Sequence, residues 1–367
     1  MLKRVSIQNF KSLKDVTLDL QKVNLLIGPN NSGKTNFLKA LEFFELSVLK
    51  SESAALYEAQ FFRYKRSAQS LSINLTLSVD ENDLDFLRSF DFSDPITIVS
   101  SQRTFLHGLE VAFSDSGYPN ANDLQQLINN VKIYKPDPNK LTQPSLLGNG
   151  AGPEIVDADA SNLIAFFDYI RDEHLEAFAR IRNDLQKCVP EFTEINFQNV
   201  SSNNNLVNQF GPGTYKRLGL TDDKHGVKYW ADELSEGTLY FLALLCIINQ
   251  PNPPKLLLLE EPEKGIHPRR IREVMDFIFR LAEEKDIQII LTTHNEHVLD
   301  DFATRPESVF VFDKDEEGAT YVRNLQTDII EPTNKRNSEM GLDPIDLTTN
   351  LSENWLYGLL GGVPSIV

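Results

Sequence analysis

A glycine-containing octapeptide near the start of the chain has the residue types and spacing of a phosphate-binding loop. Its sequence fits G-x-x-x-x-G-K-[ST] and lies between an apolar strand and the start of a helix. Glycines let the backbone wrap a phosphate, and the N–H groups at a helix start point at the anion. We expect Lys34 to neutralise the β- and γ-phosphates and the hydroxyl of Thr35 to bind Mg²⁺. The candidate nucleotide-binding residues are Gly28, Pro29, Asn30, Asn31, Ser32, Gly33, Lys34 and Thr35.

Two adjacent carboxylates follow a second apolar run, residues 256–259. Side chains alternate along a strand, so Glu260 and Glu261 are expected to face opposite sides and to take different roles. Glu260 would hold Mg²⁺ through its water shell, and Glu261 would accept a proton from, or orient, the water that attacks the γ-phosphate. Taken alone, a Glu-Glu-Pro segment at a strand end is more often a charged turn.

Two further segments carry polar residues at positions suited to binding an anion. Ser235 and Gly237 lie at the start of the strongly apolar helix LYFLALLCII, and a helix N-terminus favours negative charge. His294 ends the strand-like segment IQIILTTH, which places it at the carboxyl edge of the sheet, where open α/β folds bind ligands. There it can sense a γ-phosphate, although an isolated histidine is more often a structural edge residue.

The hydropathy pattern predicts the elements that position these residues. Strands are predicted at RVSIQNF, DVTLDL and VNLLIG, followed by an amphipathic helix over Asn36–Leu49. The last third alternates apolar strands with amphipathic helices, which indicates a parallel sheet covered by helices. Additional strands, predicted as an antiparallel layer beside the first sheet, are Leu71–Val79, Ile96–Ser100 and Leu109–Phe113.

The middle of the chain has a different pattern. Residues 120–152 are rich in Pro, Asn and Gly, which predicts a long surface loop. Residues 158–188 are predicted to form one helix that Pro190 ends.

Composition excludes several classes of protein. The chain has 367 residues, of which 41% are hydrophobic and 24% charged, so it is neither fibrous nor wholly disordered. Its formal net charge of −17 argues against a general DNA-coating protein. Two cysteines, Cys188 and Cys246, give poor support for a disulfide framework or a zinc site. No apolar run approaches the roughly 20 residues that cross a bilayer, and the N-terminus lacks a signal h-region. We therefore expect a soluble, cytoplasmic protein without a membrane partner.

Taken in order, the four motifs resemble the ATP-binding cassette (ABC) superfamily. GPNNSGKT resembles its Walker A motif, LSEGT its signature, LLLLEEPEKGIHP its Walker B motif and D-loop, and TTH its switch histidine. The segments KRVSIQNFKSLKDVTLDL and SVFVFDKDEEGATYVRNL resemble the RecF/SMC-like branch, in particular stand-alone ATPases without a coiled coil that are related to the ATPase part of OLD-family proteins. The likeness covers residues 1–77 and 230–325.

The resemblance implies an α/β P-loop NTPase fold. It would be an ABC-type ATPase head with a mixed central sheet, an antiparallel β layer and a helical insertion. We expect residues 1–367 to form a single head. Within it, the predicted parts are a Walker A lobe at 1–115, a helical and loop insertion at 116–228, a lobe with the signature, Walker B and switch histidine at 229–325, and a tail at 326–367.

The resemblance also implies ATP and Mg²⁺ as cofactors and a homodimer formed on ATP binding. Ser235 and Gly237 of one subunit would cap the γ-phosphate held by Lys34 of the other, and Glu261, His294 and Lys34 would serve hydrolysis. Glu260 stands where the family usually has Asp, so we expect slow turnover. The glutamine that contacts Mg²⁺ in the family has three candidates here, Gln60, Gln69 and Gln102.

Three functions follow as hypotheses. The leading one is an ATPase that regulates a separately encoded effector, such as a nuclease, in phage defence or genome maintenance. The second is a repair ATPase that acts directly on DNA ends through two basic clusters, and the third is the motor subunit of a transporter. The two clusters are residues 63–66 and the group Lys264, Arg269, Arg270 and Arg272.

Three minor features have competing interpretations. Asp313 and Asp315 match a nuclease D-x-D but fit a hairpin turn better. His294 and His297 have a spacing that argues against a zinc site. The apolar segment 355–363 either docks a partner or folds back on the protein's own core.

Overall fold

The chain folds into an α/β structure, seen in a computed structural model that describes residues 1–79, 82–92, 98–106, 108–111, 121–147, 152–202, 204–264 and 266–363. The strands are β1 Leu2–Phe10, β2 Leu13–Asp19, β3 Val23–Ile27, β4 Ser70–Val79, β5 Asn82–Asp91, β6 Val99–Leu106, β7 Leu109–Val111, β8 Ile133–Tyr134, β9 Ser145–Leu147, β10 Phe192–Val200, β11 Thr214–Asp222, β12 Val227–Trp230, β13 Leu256–Glu260, β14 Gln288–Thr292, β15 Val309–Lys314 and β16 Thr320–Asn324. The helices are α1 Lys34–Glu45, α2 Glu52–Phe62, α3 Ala121–Ile128, α4 Pro138–Leu141, α5 Leu163–Glu173, α6 Leu175–Cys188, α7 Asn204–Phe210, α8 Glu236–Asn249, α9 Pro268–Glu284, α10 Glu296–Asp300, α11 Glu331–Glu339 and α12 Leu351–Leu356.

One mixed sheet runs through most of these strands, in the order β7-β6-β5-β4-β1-β2-β16-β15-β3-β14-β13-β8. Strands β13, β14, β3 and β15 lie side by side and run parallel. Strands β1, β2 and β4 to β7 pair antiparallel. The predicted fold class with a mixed central sheet is confirmed, and the antiparallel strands extend that sheet instead of forming a layer beside it.

The parallel strands are largely apolar and are buried on both faces, which explains their place in the sheet. Every residue of β3 and β14 is buried, as are the first four of β13. Strands covered on both faces need continuous apolar runs. The register pairs Leu259 with Leu291, and Thr292 with Leu26. The carboxyl ends of β13, β14 and β3 therefore meet at one edge of the sheet.

The antiparallel strands include one that the sequence patterns did not predict. In β5 the buried positions are Leu84, Phe86, Arg88 and Phe90, which alternate as a half-buried strand requires. Arg88 occupies an inward position, so the apolar alternation is broken there. Its side chain lies 5.0 Å from the ring centroid of Phe90 and 3.3 Å from a carboxylate oxygen of Glu52.

Neighbouring strand predictions were shifted or lie partly outside the described residues. Of the strand predicted over residues 96–100, residues 96–97 lie outside the described parts, and the observed strand β6 starts at Val99. The strand predicted over residues 109–113 is observed over its first three residues as β7, and residues 112–113 are not described. The prediction over 71–79 is confirmed by β4.

The chain divides into two compact units. The first comprises Met1–Ile133, Lys255–Glu261 and Ile278–Val367, and the second Tyr134–Pro254 and Pro262–Phe277. Within the second unit, β10, β11, β12 and β9 form a smaller antiparallel sheet. Helix α8 is buried at every position from Gly237 to Asn249, as its uniformly apolar sequence requires. In the described parts of the chain, no helix combines the length and the apolarity needed to cross a membrane.

Two predictions for the middle of the chain were wrong. The single helix expected over 158–188 is two helices, α5 and α6, because His174 has non-helical backbone angles (φ −132°, ψ 62°). The loop expected over 120–152 contains short regular elements in its described parts, namely α3, β8, α4 and β9. Helix α4 forms because Asp137 caps it and Pro138 occupies its first turn, so this proline starts a helix.

Candidate nucleotide-binding site

The predicted phosphate-binding loop, residues 28–35, connects β3 to α1 at the carboxyl edge of the parallel strands. Gly28 and Gly33 have left-handed backbone, with φ of 140° and 113°. A Cβ on Gly28 would overlap the carbonyl oxygen of Phe312 in β15, and a Cβ on Gly33 would overlap Thr320 Oγ1. Both positions require glycine for sterics as well as for backbone conformation.

Lys34 is the first residue of α1 and is 5% exposed. Its ammonium group donates hydrogen bonds to the carbonyl oxygens of Gly28 (2.7 Å) and Pro29 (3.0 Å). Burial lowers the pKa of Lys34 to about 8, and the nearby charges of Glu261 and Glu260 oppose this shift. A buried cation gains free energy when an anion approaches it, so the loop is electrostatically prepared for a phosphate.

Thr35 of the phosphate-binding loop and Glu260 at the end of β13 lie next to each other. The hydroxyl of Thr35 donates a hydrogen bond to Glu260 Oε1 over 2.8 Å, across 225 positions of sequence. Glu260 is the last residue of β13, and β14 lies between β13 and β3. A hydroxyl and a carboxylate are both hard oxygen ligands of the kind that Mg²⁺ prefers. These two residues therefore fit the metal site predicted for them.

Glu261 and His294 lie opposite each other at the same sheet edge. The Glu261 backbone is left-handed (φ 51°), and its N–H donates to the carbonyl oxygen of Thr292 over 3.0 Å. His294 Nε2 lies 3.5 Å from Glu261 Oε1, and both side chains are partly exposed. The structure thus brings Lys34, Thr35, Glu260, Glu261 and His294 to one place within the first unit.

The signature residues Ser235 and Gly237 belong to the second unit. Ser235 caps helix α8, and its hydroxyl oxygen accepts a hydrogen bond from the Thr238 N–H over 3.2 Å. Arg270 Nη1 donates to the same oxygen over 3.3 Å, and its Cδ lies 3.9 Å from a Cβ built on Gly237. The helix start predicted from the sequence is confirmed, and Arg270 of the second basic cluster contacts it.

Three polar residues behind the phosphate-binding loop were missed by the sequence reasoning. Ser12 lies in the β1–β2 turn, Asn36 in α1 and Thr320 at the start of β16, and they form a hydrogen-bond chain that ends on Ser32 of the loop. They share no motif with the loop, because more than 280 positions separate Thr320 from Ser32. The available signal was weak: a threonine that directly follows the hairpin turn DKDEEGA.

The predicted hairpin turn at Asp313–Asp315 is confirmed. Strand β15 pairs antiparallel with β16, with Lys314 opposite Thr320. Asp315 Oδ1 accepts hydrogen bonds from the N–H groups of Glu317 and Ala319, so this carboxylate shapes the turn.

The apolar segment 355–363 folds back on the first unit, beside the phosphate-binding loop. Trp355 is 7% exposed, and its Nε1–H donates to the carbonyl oxygen of Gly362 over 3.1 Å. The Gly362 N–H donates to Asp313 Oδ2 over 3.3 Å, and a Cβ on Gly362 would lie 3.4 Å from the Cα of Gly28. The segment therefore borders the loop, although Leu356 and other side chains on it are exposed.

The three candidate glutamines lie in different elements. Gln60 is in α2, Gln102 is in β6, and Gln69 lies between α2 and β4. Which of them serves Mg²⁺ stays a prediction.

A family model described as "AAA domain, putative AbiEii toxin, Type IV TA system" matches residues 23–300, more than half of the chain. The chain belongs to this family. The match includes the phosphate-binding loop, both glutamates and the switch histidine.

Curated relatives and solved structures agree with this family. The Old nuclease of Escherichia phage P2 is 22% identical over 340 residues, covering 81% of this chain and 57% of that protein. The energy-coupling factor transporter ATP-binding protein EcfA2 of Bacillus cereus is 33% identical over 82 residues, covering 22% of this chain and 26% of that protein. The chain thus spans between about a quarter and little more than half of these curated relatives.

The fold itself is that of an SMC head. An SMC head domain from Pyrococcus furiosus, solved with an extended coiled coil and bound to the C-terminal domain of ScpA, superposes with a TM-score of 0.52 at 13% identity, covering 93% of this chain and 99% of that one. The SMC head domain from Pyrococcus yayanosii gives a TM-score of 0.50 at 10% identity, with 93% and 99% coverage. The chain therefore has the P-loop fold of an SMC-type ATPase head and is similar in sequence to the Old nuclease.

Proposed function

We propose that the protein binds ATP with Mg²⁺ at residues 28–35 and hydrolyses it to ADP and phosphate. The observation that carries this proposal is the convergence of Lys34, Thr35, Glu260, Glu261 and His294 at one sheet edge. Bound Mg²⁺ would neutralise charge on the phosphates, held by the oxygens of Thr35 and Glu260. Lys34 neutralises the β- and γ-phosphates, Glu261 orients the attacking water or accepts its proton, and His294 contacts the γ-phosphate.

Phosphate release by the purified protein tests this reaction. We expect Lys34→Ala to abolish nucleotide binding and Glu261→Gln to keep binding while hydrolysis is lost. The matched controls are Lys14→Ala in β2 and Glu317→Gln in the β15–β16 turn. Both side chains are more than half exposed, so these changes should leave hydrolysis unchanged. Hydrolysis at the wild-type rate by Lys34→Ala would contradict the proposal.

We further propose that two subunits close around two ATP molecules. Ser235 and Gly237 lie at the N-terminus of α8, where backbone N–H groups favour an anion, and in the closed dimer they would cap the γ-phosphate held by Lys34 of the other subunit. Light scattering of Glu261→Gln should show monomer without nucleotide and dimer with Mg-ATP, and Ser235→Arg should prevent this. Mixing Lys34→Ala with Ser235→Arg should restore one intact site per dimer, and no recovery of hydrolysis would argue against a shared site.

We propose that the nucleotide cycle controls a separately encoded effector in phage defence or genome maintenance, a nuclease being the leading choice. The support is the relative from a phage named Old nuclease and the toxin named in the family description. The purified chain with Mg-ATP should leave plasmid DNA intact. Cleavage by the chain alone, lost in Asp313→Ala, would overturn this assignment.

Direct DNA binding is the second candidate, and a specific surface favours it. Lys65 and Arg66 are exposed and both have left-handed backbone (φ 49° and 54°). The preceding helix α2 exposes the rings of Tyr57 and Phe61, which contact each other edge to face with centroids 5.3 Å apart. Exposed cations and exposed rings in one segment of the chain are features that suit a nucleic acid. Submicromolar DNA binding at physiological salt that disappears in Lys65→Ala/Arg66→Ala would favour this function over effector control.

A further inference from the structure

A chain of side-chain hydrogen bonds supports the phosphate-binding loop from behind. The Thr320 hydroxyl donates to the carbonyl oxygen of Ser32 over 2.7 Å, and this bond is buried. Ser12 Oγ lies 2.8 Å from Thr320 Oγ1, and Asn36 Nδ2 donates to Ser12 Oγ over 2.9 Å. The β1–β2 turn, the β15–β16 hairpin and α1 thus all contribute to one contact on the loop.

The direction of these bonds follows from counting protons. A carbonyl oxygen only accepts, so the single hydroxyl proton of Thr320 points to Ser32. Ser12 must then donate its own proton to Thr320, while its lone pairs accept from the Asn36 amide. Every donor in the chain therefore points the same way, toward one carbonyl of the loop.

Fixing that carbonyl also fixes the next N–H group. The peptide bond between Ser32 and Gly33 is planar and trans, as no cis bonds occur among the described residues. Its C=O and N–H point in opposite directions. Because the Ser32 carbonyl is held toward Thr320, the Gly33 N–H is directed away from Thr320, toward the opposite face of the loop. A Cβ on Gly33 would lie 3.0 Å from Ser12 Oγ and overlap Thr320 Oγ1, so the backbone packs tightly on this support.

We propose that Thr320 and Ser12 are positioning residues for nucleotide binding. By holding the Ser32 carbonyl they orient the Gly33 N–H as a phosphate donor before the nucleotide arrives, which lowers the cost of ordering the loop. This inference rests on the proposed binding of ATP. We assign this donor to a phosphate that ATP and ADP share, so the support should act on both nucleotides and on ground-state binding rather than on the hydrolytic step.

Two substitutions distinguish the contribution of the Thr320 hydroxyl from that of the side chain's shape. Thr320→Val keeps the branched side chain and removes the donor, and Thr320→Ser keeps the donor and removes a methyl group. We expect Thr320→Val to raise the Kd of ATP and of ADP about tenfold each, because the loop must then be ordered on binding at a cost similar to that of one buried hydrogen bond. KM should rise by a similar factor with kcat within about twofold, and Thr320→Ser should stay within about twofold of wild type.

Ser12→Ala tests the next position in the chain and is a smaller change. It should raise both dissociation constants about threefold, because Thr320 keeps its bond to Ser32 but loses a supporting donor. The double variant should bind no more weakly than Thr320→Val alone, since both changes remove the same support. Thr17→Val is the matched control: Thr17 is an exposed β2 residue that donates to Ser6 Oγ over 3.0 Å, and its loss should leave binding unchanged.

Titration with a fluorescent ATP or ADP analogue at pH 7.5 measures the dissociation constants, and thermal unfolding checks that each variant is folded. Wild-type affinity for Thr320→Val or for Ser12→Ala overturns the positioning role. An equal loss of nucleotide affinity in Thr320→Ser also overturns this role, because it would show that the effect comes from packing and not from the hydroxyl. If Thr320→Val does not fold, Ser12→Ala decides. Failure of the folded wild-type protein to bind ATP at all is a different result, because it removes the proposed function itself.

Discussion

The lowered pKa of Lys34 predicts that nucleotide affinity decreases above neutral pH. Burial brings the pKa of this ammonium group to about 8, against an ordinary value of 10.5. A bound triphosphate places negative charge beside the group and restores the pKa to its ordinary value or above. Binding therefore requires the proton, and ATP binds more weakly once the free protein has lost it.

The size of the effect follows from the two pKa values. With a pKa of about 8, Lys34 is neutral in about a quarter of free molecules at pH 7.5 and in about nine tenths at pH 9. The Kd for ATP should rise about eightfold between these pH values. Because the unfolded chain holds this proton more tightly than the folded one, the free protein should also gain stability as the pH rises from about 8 to 10.5.

Isothermal titration in buffers of different ionisation enthalpy measures both affinity and proton uptake. At pH 8.5 about 0.8 protons should be taken up per bound nucleotide. Free carboxylates and imidazoles ordinarily titrate below this range, as do the phosphates of ATP, and the Lys34→Arg variant measures proton uptake by any thiol or amino group that titrates within it. Lys34→Arg keeps its charge throughout and should show no pH dependence here, whatever its absolute affinity. A constant Kd from pH 7.5 to 9, or binding without proton uptake, would refute the reasoning.

Three further predictions concern the loop and its neighbours. Gly28→Ala should abolish nucleotide binding because its Cβ overlaps a backbone carbonyl. Gly318 also has a positive φ but lies in open space, so Gly318→Ala should cost only about 1 kcal/mol of stability in chemical denaturation and leave binding unchanged. Glu260→Gln should reduce the effect of Mg²⁺ on ATP affinity at least about tenfold while metal-free binding is unchanged, as titrations with and without Mg²⁺ would show. Trp355→Phe should lower the free energy of unfolding by about 1–2 kcal/mol, because it leaves a buried carbonyl without its donor; urea denaturation measures this.

The parts of the fold that the sequence predicted are those governed by local pattern. The continuous apolar runs of β3, β13 and β14 predicted strands buried on both faces, and the motifs that follow them predicted which edge would carry the chemistry. Strand β5 was missed because Arg88 occupies an inward position, where a distant residue, Glu52, supplies a partner for the guanidinium. The break at His174 has no proline or glycine to announce it, so the helix prediction ran through it.

The candidate site also contains residues that local motifs predict and residues that only the tertiary structure reveals. Sequence motifs predicted the roles of Lys34, Thr35 and the two glutamates, because the spacing within each motif indicates its chemistry. The structure brings these residues together. Thr320 and Ser12 could not be predicted, because their role depends on which turns the sheet order places behind the loop. Arg270 was assigned to a basic patch for the same reason: its contact with Ser235 joins segments 35 positions apart.

The internal hydrogen bonds of the loop bear on why turnover should be slow. Lys34 donates to two carbonyl oxygens of its own loop, and the Thr35 hydroxyl donates to Glu260. Buried polar groups need partners, so these bonds stabilise the loop by themselves. A bound phosphate must replace the bonds of Lys34, and only the difference in free energy appears as affinity. Glu260 has one methylene more than the family's usual Asp and reaches the Thr35 hydroxyl directly at 2.8 Å. The Thr35 hydroxyl can keep this bond while its oxygen lone pair ligates Mg²⁺. The longer side chain of Glu260 therefore acts by setting the distance between its carboxylate and the metal's water shell, and a shorter carboxylate at this position would change that distance.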